Sequence, residues 1–361
     1  MAPGGPPFRA DHVGSLLRPE RLRQARAGLA RGEVSARALR EIEDEEIGAA
    51  VRRQEALGLK AATDGEFRRA WWHFDFLSWL EGVELFAEEG LSAKIAVTGR
   101  LGFPASHPML EHFAFLKRVA TVLPKLTIPS PSVLHFRTGR RSISPEVYPE
   151  LDAFFADAAT AYADAIRAFY EAGCRYLQFD DTVWGFLCSE RERAASARRG
   201  DDPDALPALY ADTINRALAA KPADMTVTVH VCRGNYRSSW IAEGDYEPVA
   251  EILLGALAVD GYFLEYDTPR AGGFAPLRHL PRGDKRVVLG LLTSKSGALE
   301  DTDALRRRID EAAAYADLDQ LCLSPQCGFA STQEGNLLAE AEQWRKLERV
   351  VEVARAVWGA V

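Results

Sequence analysis

Methionine is scarce in this chain and cysteine only slightly less so, with three and five residues respectively in 361. Five cysteines (Cys174, Cys188, Cys232, Cys322 and Cys327) are an odd number spread along a long chain. That pattern excludes the dense disulfide framework of small secreted domains and leaves reduced thiols available to a metal. No stretch approaches the roughly 18 consecutive apolar residues that a membrane span requires. The opening MAPGGPPFRADHVGS has no charged start followed by an apolar run, so a cytoplasmic location is expected. Basic excess is missing too: the net charge is −8, which argues against nucleic-acid and anionic-membrane partners and turns attention to small molecules. There is no low-complexity tract, no internal repeat at solenoid periods and no linker rich in Pro, Gly or Ser. With 47% hydrophobic and 27% charged residues the chain has ordinary globular composition, and one domain spanning 1–361 is expected.

What is present is an alternation of short β-rich runs with helical stretches, the pattern of parallel strands joined by crossover helices. Eight candidate strands fall near 11–15, 60–66, 125–131, 176–181, 226–232, 262–267, 286–294 and 321–325. Between them, Phe155, Ala158, Tyr162, Ile166 and Phe169 recur at helical spacing before Gly173 supplies a stop, and Ala36 to Leu57 ends likewise at Gly58. Eight such units predict an α/β fold, a single (β/α)8 TIM barrel. The segment 81–108, with AKIAVTG in its middle, fits no βα unit and reads as a hairpin excursion near the barrel mouth.

A barrel of this kind places its chemistry where strands end and βα loops begin. Polar residues close nearly every proposed strand: Ser15, Asp64 and Glu66, Asp180 and Asp181, His230 and Cys232, Glu265 and Asp267, Ser294 and Lys295, with Cys327 just past the last. Alternation along a strand sends His230 and Cys232 to the same face. Alone, His-x-Cys is also compatible with a structural histidine and a small buried thiol. Glu265 and Cys327 complete a mixture of N, S and O donors that Zn2+ accepts. Asp181 and Asp267 have a second reading as caps of the following loops. Consecutive acids such as Asp180 and Asp181 are costly to bury without a cation, which a ligand ammonium supplies. Trp71, Trp72, His73 and Phe74 form a cluster that either lines a substrate mouth or packs in the core. Cys174, Cys188 and Cys322 read as small buried apolar residues.

The motifs HVCRGN, LEYD and SPQCGF, in this order, resemble the His-x-Cys, Glu and Cys ligand set of cobalamin-independent methionine synthase. DHVGSLLRP, DGEFRR and LQFDD resemble further segments of that family, and the likeness runs from Phe8 to about Ala354, matching the catalytic C-terminal barrel as found in short single-barrel bacterial members. The resemblance implies a zinc-dependent S-methyltransferase in which His230, Cys232, Glu265 and Cys327 hold Zn2+. It implies that Glu66 and Asp180 grip the amino group of homocysteine and that backbone around Ser15 receives its carboxylate.

Two stretches depart from the family pattern. TIPSPS puts Pro131 near the place of a tryptophan that stacks on the donor's pterin, and LTSKSG puts Lys295 where the family has a proton-donating histidine. Lys295 is therefore the candidate catalytic group. The methyl donor is expected to be methyltetrahydrofolate, or a methylcorrinoid delivered by a partner protein. Alternatives are alkyl transfer to another small thiol, as in epoxyalkane:coenzyme M transferase, and a barrel that binds metal or amino acid without catalysis. The uroporphyrinogen decarboxylases share the barrel type but lack this ligand set.

Overall fold

A computed structural model describes residues 5–88, 91–136 and 139–361. Its strands are β1 (Ala61–Ala62), β2 (Glu81–Glu88), β3 (Leu91–Gly102), β4 (Leu123–Pro129), β5 (Tyr176–Asp181), β6 (Thr226–Val231), β7 (Gly261–Glu265), β8 (Arg286–Leu292) and β9 (Leu321–Pro325). Seven of them form one curled parallel sheet in the order β1-β4-β5-β6-β7-β8-β9. The strand sequences explain this, since β6, TVTVHV, is β-branched at every position except His230 and is buried along nearly all its length. The intervening helices bring the chain back, as parallel neighbours require. Leu151–Glu171 buries a face of Phe154, Phe155, Tyr162, Ile166 and Phe169. Ala36–Leu57 starts at Ser35, whose side chain accepts from Ala38 N, and stops at Gly58 in the left-handed region (φ 91°).

The expected strand at 11–15 takes a different form. Residue 10 makes one parallel bridge to Leu323 of β9, Asp11 N donates to Leu323 O at 3.1 Å, and Leu16 N donates to Gly65 O beyond β1 at 3.0 Å. The segment thus joins the two edges of the sheet without a continuous ladder. Asp, His, Gly and Ser are poor strand formers, and Gly14 at φ 146° interrupts the extended run. The result is a TIM-barrel-like α/β fold with seven regular strands and one irregular stave.

The excursion is an antiparallel hairpin of β2 and β3 with irregular register near Glu81/Val83 and Phe86/Glu88. Residues 89 and 90 lie outside the described residues, and the hairpin ends at Gly102, short of the expected 108. Gly82 (φ 76°) is required there, because a Cβ would come 2.5 Å from the Arg100 carbonyl oxygen.

Near the N-terminal ends of the strands the barrel interior holds a buried, hydrogen-bonded ion pair. Lys125 Nζ donates to Asp11 Oδ1 at 3.1 Å and to His12 O at 2.6 Å, and Tyr176 OH donates to Asp11 Oδ2 at 2.7 Å. This end of such a barrel serves stability, leaving the C-terminal ends for chemistry.

Candidate active site

At those C-terminal ends, parallel register aligns Asp180 of β5 with His230 of β6, and His230 with Phe263 of β7. Cys232 follows directly after β6, with its N–H donating to Asp181 O at 2.9 Å. Glu265 closes β7, and its backbone N–H donates to the Tyr246 hydroxyl at 3.0 Å while Arg233 N donates to Glu265 Oε1 at 2.8 Å. Cys327 enters from the loop after β9, where Gln326 N donates to Leu292 O at 2.7 Å. One donor atom from each of His230, Cys232, Glu265 and Cys327 lies within 4.8 Å of the others, and all four residues are buried.

These residues fit a metal ion. Two sulfurs bound at about 2.3 Å in tetrahedral geometry stand about 3.8 Å apart, and Cys232 Sγ lies 3.6 Å from Cys327 Sγ. Both ring nitrogens of His230 and Glu265 Oε2 are buried with no hydrogen-bond partner of acceptable geometry among the described residues. Orphaned polar atoms of this kind need a partner, and a cation supplies one for Glu265 Oε2 and for one of the two His230 nitrogens.

The electrostatics agree. Burial first, then the Cys327 sulfur, pushes the Glu265 carboxyl up to about 7, and burial followed by Glu66 pushes Asp180 up to about 7 against the pull of His230. His230 rises to about 9 despite its burial, because Cys327, Asp180 and Glu265 all favour its protonated form. Cys327 is held well below the usual thiol range, first by Cys232 and then by His230, with burial opposing them. Without a cation the cluster retains protons, and a metal ion binding there displaces them.

Above the cluster opens a cavity of about 750 Å³ whose walls include Ser15, Asp180, His230, Cys232 and Cys327. Ser15 faces it from the irregular stave, with its oxygen accepting from Ala330 N at 3.3 Å. Asp180 Oδ1 accepts from Gln178 Nε2 at 2.7 Å. Glu66 stands one layer behind the wall in the left-handed region (φ 58°), held by its N–H donating to Asp64 Oδ1 at 2.8 Å. One of its oxygens pairs with Arg69 and the other, Oε1, is buried without a hydrogen-bond partner. Arg69, which does line the cavity, also donates to Ser331 O at 2.7 Å. Sequence reasoning did not single out Arg69, although its place three residues after a strand-end acid was a usable signal.

Lys295 is buried but is not part of the cavity wall. Its ammonium donates to Gly234 O at 3.0 Å and Ser239 O at 3.2 Å and sits 5.1 Å from the centre of the Trp240 ring. Asp181 is a cap, accepting from Val183 N at 2.7 Å and from Ser132 Oγ at 2.6 Å. Asp267 is partly buried, with Oδ2 unpartnered. Trp71, Trp72, His73 and Phe74 all line the cavity. Cys174, Cys188 and Cys322 are buried away from the cluster, with thiols directed at the carbonyls of Tyr176, Trp184 and Pro7.

Residues 8–356 match the family described as the catalytic domain of cobalamin-independent synthase. The chain is 52% identical to the uncharacterized protein YxjH of Bacillus subtilis, over 98% of this chain and 95% of that protein. A solved structure from Listeria monocytogenes, provisionally assigned as a vitamin-B12 independent methionine synthase, superposes with a TM-score of 0.81 at 47% identity, covering 98% of each chain. The chain is also 24% identical, over 90% of its length and 40% of the other protein's, to the 5-methyltetrahydropteroyltriglutamate–homocysteine methyltransferase of Paraburkholderia phytofirmans.

Proposed function

The chain belongs to the cobalamin-independent methionine synthase family, and on that premise we propose that it is a single-barrel, zinc-dependent S-methyltransferase that converts homocysteine to methionine with 5-methyltetrahydrofolate as donor. The observation that carries this reading is the convergence of His230, Cys232, Glu265 and Cys327, with orphaned nitrogens and a carboxylate oxygen, at the floor of the cavity. The N, S, S, O donor set at an open cavity matches a catalytic zinc site better than a closed structural one. Zinc, when bound, lowers the pKa of a thiol brought to it, so that sulfur becomes nucleophilic at neutral pH.

The remaining groups orient the acceptor. Asp180 in the cavity wall offers negative charge to an ammonium group, with the Glu66 carboxylate behind that wall adding to it, and Arg69, which shares the wall with Ser15, offers positive charge toward a carboxylate. Burial makes these charges strong only when paired, so a zwitterionic amino acid satisfies both ends. In the transfer, the sulfur forms a bond to the methyl carbon, the bond from that carbon to N5 of the donor breaks, and N5 takes up one proton for the one the thiol gives up. Lys295, outside the cavity wall, ties the loop 234–239 through its contacts with the Gly234 and Ser239 carbonyls, and it acts on turnover through that loop rather than as a group in contact with substrate.

Nothing among the relatives supports a corrinoid partner. The test is zinc content of the purified protein together with methionine formation from homocysteine and 5-methyltetrahydrofolate. One zinc per chain with methionine formed supports the reading. Methionine formed only from methylcobalamin replaces the donor, and failure to retain zinc after reconstitution overturns the site.

A further inference from the structure

Alternation along β5 sends Tyr176, Gln178 and Asp180 to the barrel interior, in successive layers. Tyr176 joins the ion pair of Asp11 and Lys125 toward the N-terminal ends of the strands, and Asp180 stands in register with His230 toward the C-terminal ends. Gln178 occupies the layer between, in register with Thr127 of β4 and Thr228 of β6, and is fully buried. Bulky branched apolar side chains are the usual filling of a barrel interior.

The Gln178 amide is held in one orientation. Its Nε2 donates to Val13 O at 2.7 Å and to Asp180 Oδ1 at 2.7 Å, which uses both of its hydrogens. A reversed amide would set an oxygen against two acceptors. Oε1 is left buried with no hydrogen-bond partner among the described residues. An unmatched acceptor in a core is unfavourable, and an apolar side chain of similar size fills the layer without one. The amide is therefore better explained by what its two N–H groups hold than by packing.

What they hold are the two ends of the acceptor site. Asp180 is a carboxylate of the cavity wall, and Val13 belongs to the irregular stave that brings Ser15 to the same wall. That stave has no continuous ladder to either neighbour, so strand pairing does not fix its distance from β5. Side chains do this instead: Thr63 Oγ1 donates to Gly14 O at 2.7 Å, and Gln178 ties the preceding carbonyl to the Asp180 carboxylate.

We propose that Gln178 is a positioning residue for the acceptor: it clamps Asp180 to the stave, fixes the separation of the ammonium and carboxylate subsites, and so selects thiols that carry an α-amino acid group. This inference rests on the amino-acid acceptor reading above and adds the residue that sets its geometry. Gln178 is not part of the cavity wall and acts through Asp180 and the stave.

The test is isothermal titration of zinc-loaded, full-length protein with two probes, homocysteine and 4-mercaptobutanoate, which keeps the thiol and carboxylate but lacks the amino group. The proteins are wild type, Gln178→Met, Asp180→Asn and the double variant. Gln178→Asn, whose amide is one methylene too short to span both partners, replaces Gln178→Met if the latter does not fold. The expected result for Gln178→Met is about tenfold weaker homocysteine binding, with 4-mercaptobutanoate binding within about twofold of wild type and zinc content unchanged. In the Asp180→Asn background the same substitution should cost less than about twofold, because the carboxylate that Gln178 aims is gone. Homocysteine binding unchanged in Gln178→Met overturns the inference. Equal weakening of both probes also overturns it, because the amide is then structural, as does an undiminished loss on top of Asp180→Asn. Wild type that binds the two probes equally, or neither, overturns the amino-acid acceptor reading itself.

Discussion

Gly185 lies in the short helix Val183–Leu187 against the end of β6, and a methyl group at that position tests how tightly the cluster is held. A Cβ built on Gly185 comes 2.5 Å from the carbonyl oxygen of Cys232, 3.2 Å from its carbonyl carbon and 3.4 Å from Arg233 Cα. All three atoms are backbone, so no side chain can rotate away. Restoring an ordinary contact of about 3.5 Å requires a shift of about 1 Å. The Cys232 N–H is bonded to Asp181 O at 2.9 Å, so the shift is shared between the helix and the strand end that carries the Cys232 thiol. Metal sites tolerate ligand distances only within about 0.2 Å, and a misplacement of about 1 Å costs on the order of 100-fold in rate. Gly185→Ala is therefore expected to lower zinc affinity at least tenfold in competition with a chromophoric chelator. Methyl transfer is expected to fall on the order of 100-fold, with about 1–3 kcal/mol lost in urea denaturation from overpacking. Gly273→Ala is the control, since nothing lies within 4 Å of its added Cβ. A Gly185→Ala protein with zinc affinity and turnover within twofold of wild type would refute the reasoning.

At the opposite end of the barrel, Lys125→Met strands the buried Asp11 carboxylate and should cost about 3 kcal/mol in urea denaturation, with Lys125→Met/Asp11→Asn recovering much of it; a loss below about 1 kcal/mol contradicts the pairing. Lys295→Ala should slow turnover with zinc content unchanged, because two loop carbonyls lose their shared donor, and an unchanged rate removes Lys295 from the mechanism. Burial, and then the charge of Lys125, hold the His12 imidazole down at about 4 against an ordinary value of 6.5. His12 is thus neutral when folded and gains a proton on unfolding, so the stability it contributes above pH 6.5 is lost as pH falls toward 4, up to about 3 kcal/mol. His12→Gln should flatten the urea midpoint between pH 7 and 5 relative to wild type, and parallel curves would disprove the assignment.

Much of the barrel was legible in the sequence because buried parallel strands and their helices write strong periodic patterns. YLQFDD and LCLSP coincide with β5 and β9, and the helix from Ala36 ends at Leu57 as its glycine stop predicts. The irregular stave was less so: a run bounded by bonds to two different neighbours has no periodic signature, and DHVGS carries side chains that serve the interior rather than a ladder. In the candidate site, alternation on β6 anticipated that His230 and Cys232 share a face, and the structure brings Glu265 and Cys327 to them. Long-range pairing was invisible. Nothing local in the sequence reveals that Lys295 reaches back to carbonyls 61 and 56 residues earlier, or that Trp71 stacks on Tyr236 from a different loop. Gly185 is the clearest case, since its lack of a side chain matters only because a carbonyl passes over it.

The contact between Ala10 and Leu323 sets an order of events during synthesis. During synthesis the stave and β1 emerge well before β9, and the partner on the far side of the stave is made some 300 residues later. Until then the far side of the stave has no strand to pair with, and the nascent chain has three of the four clustered donors, with Cys327 still to come. Closure by so distant a contact is slow, and such edges invite association. Slowed translation or chaperone capture before residue 323 is therefore expected to change the yield of folded protein without changing the stability of the finished barrel.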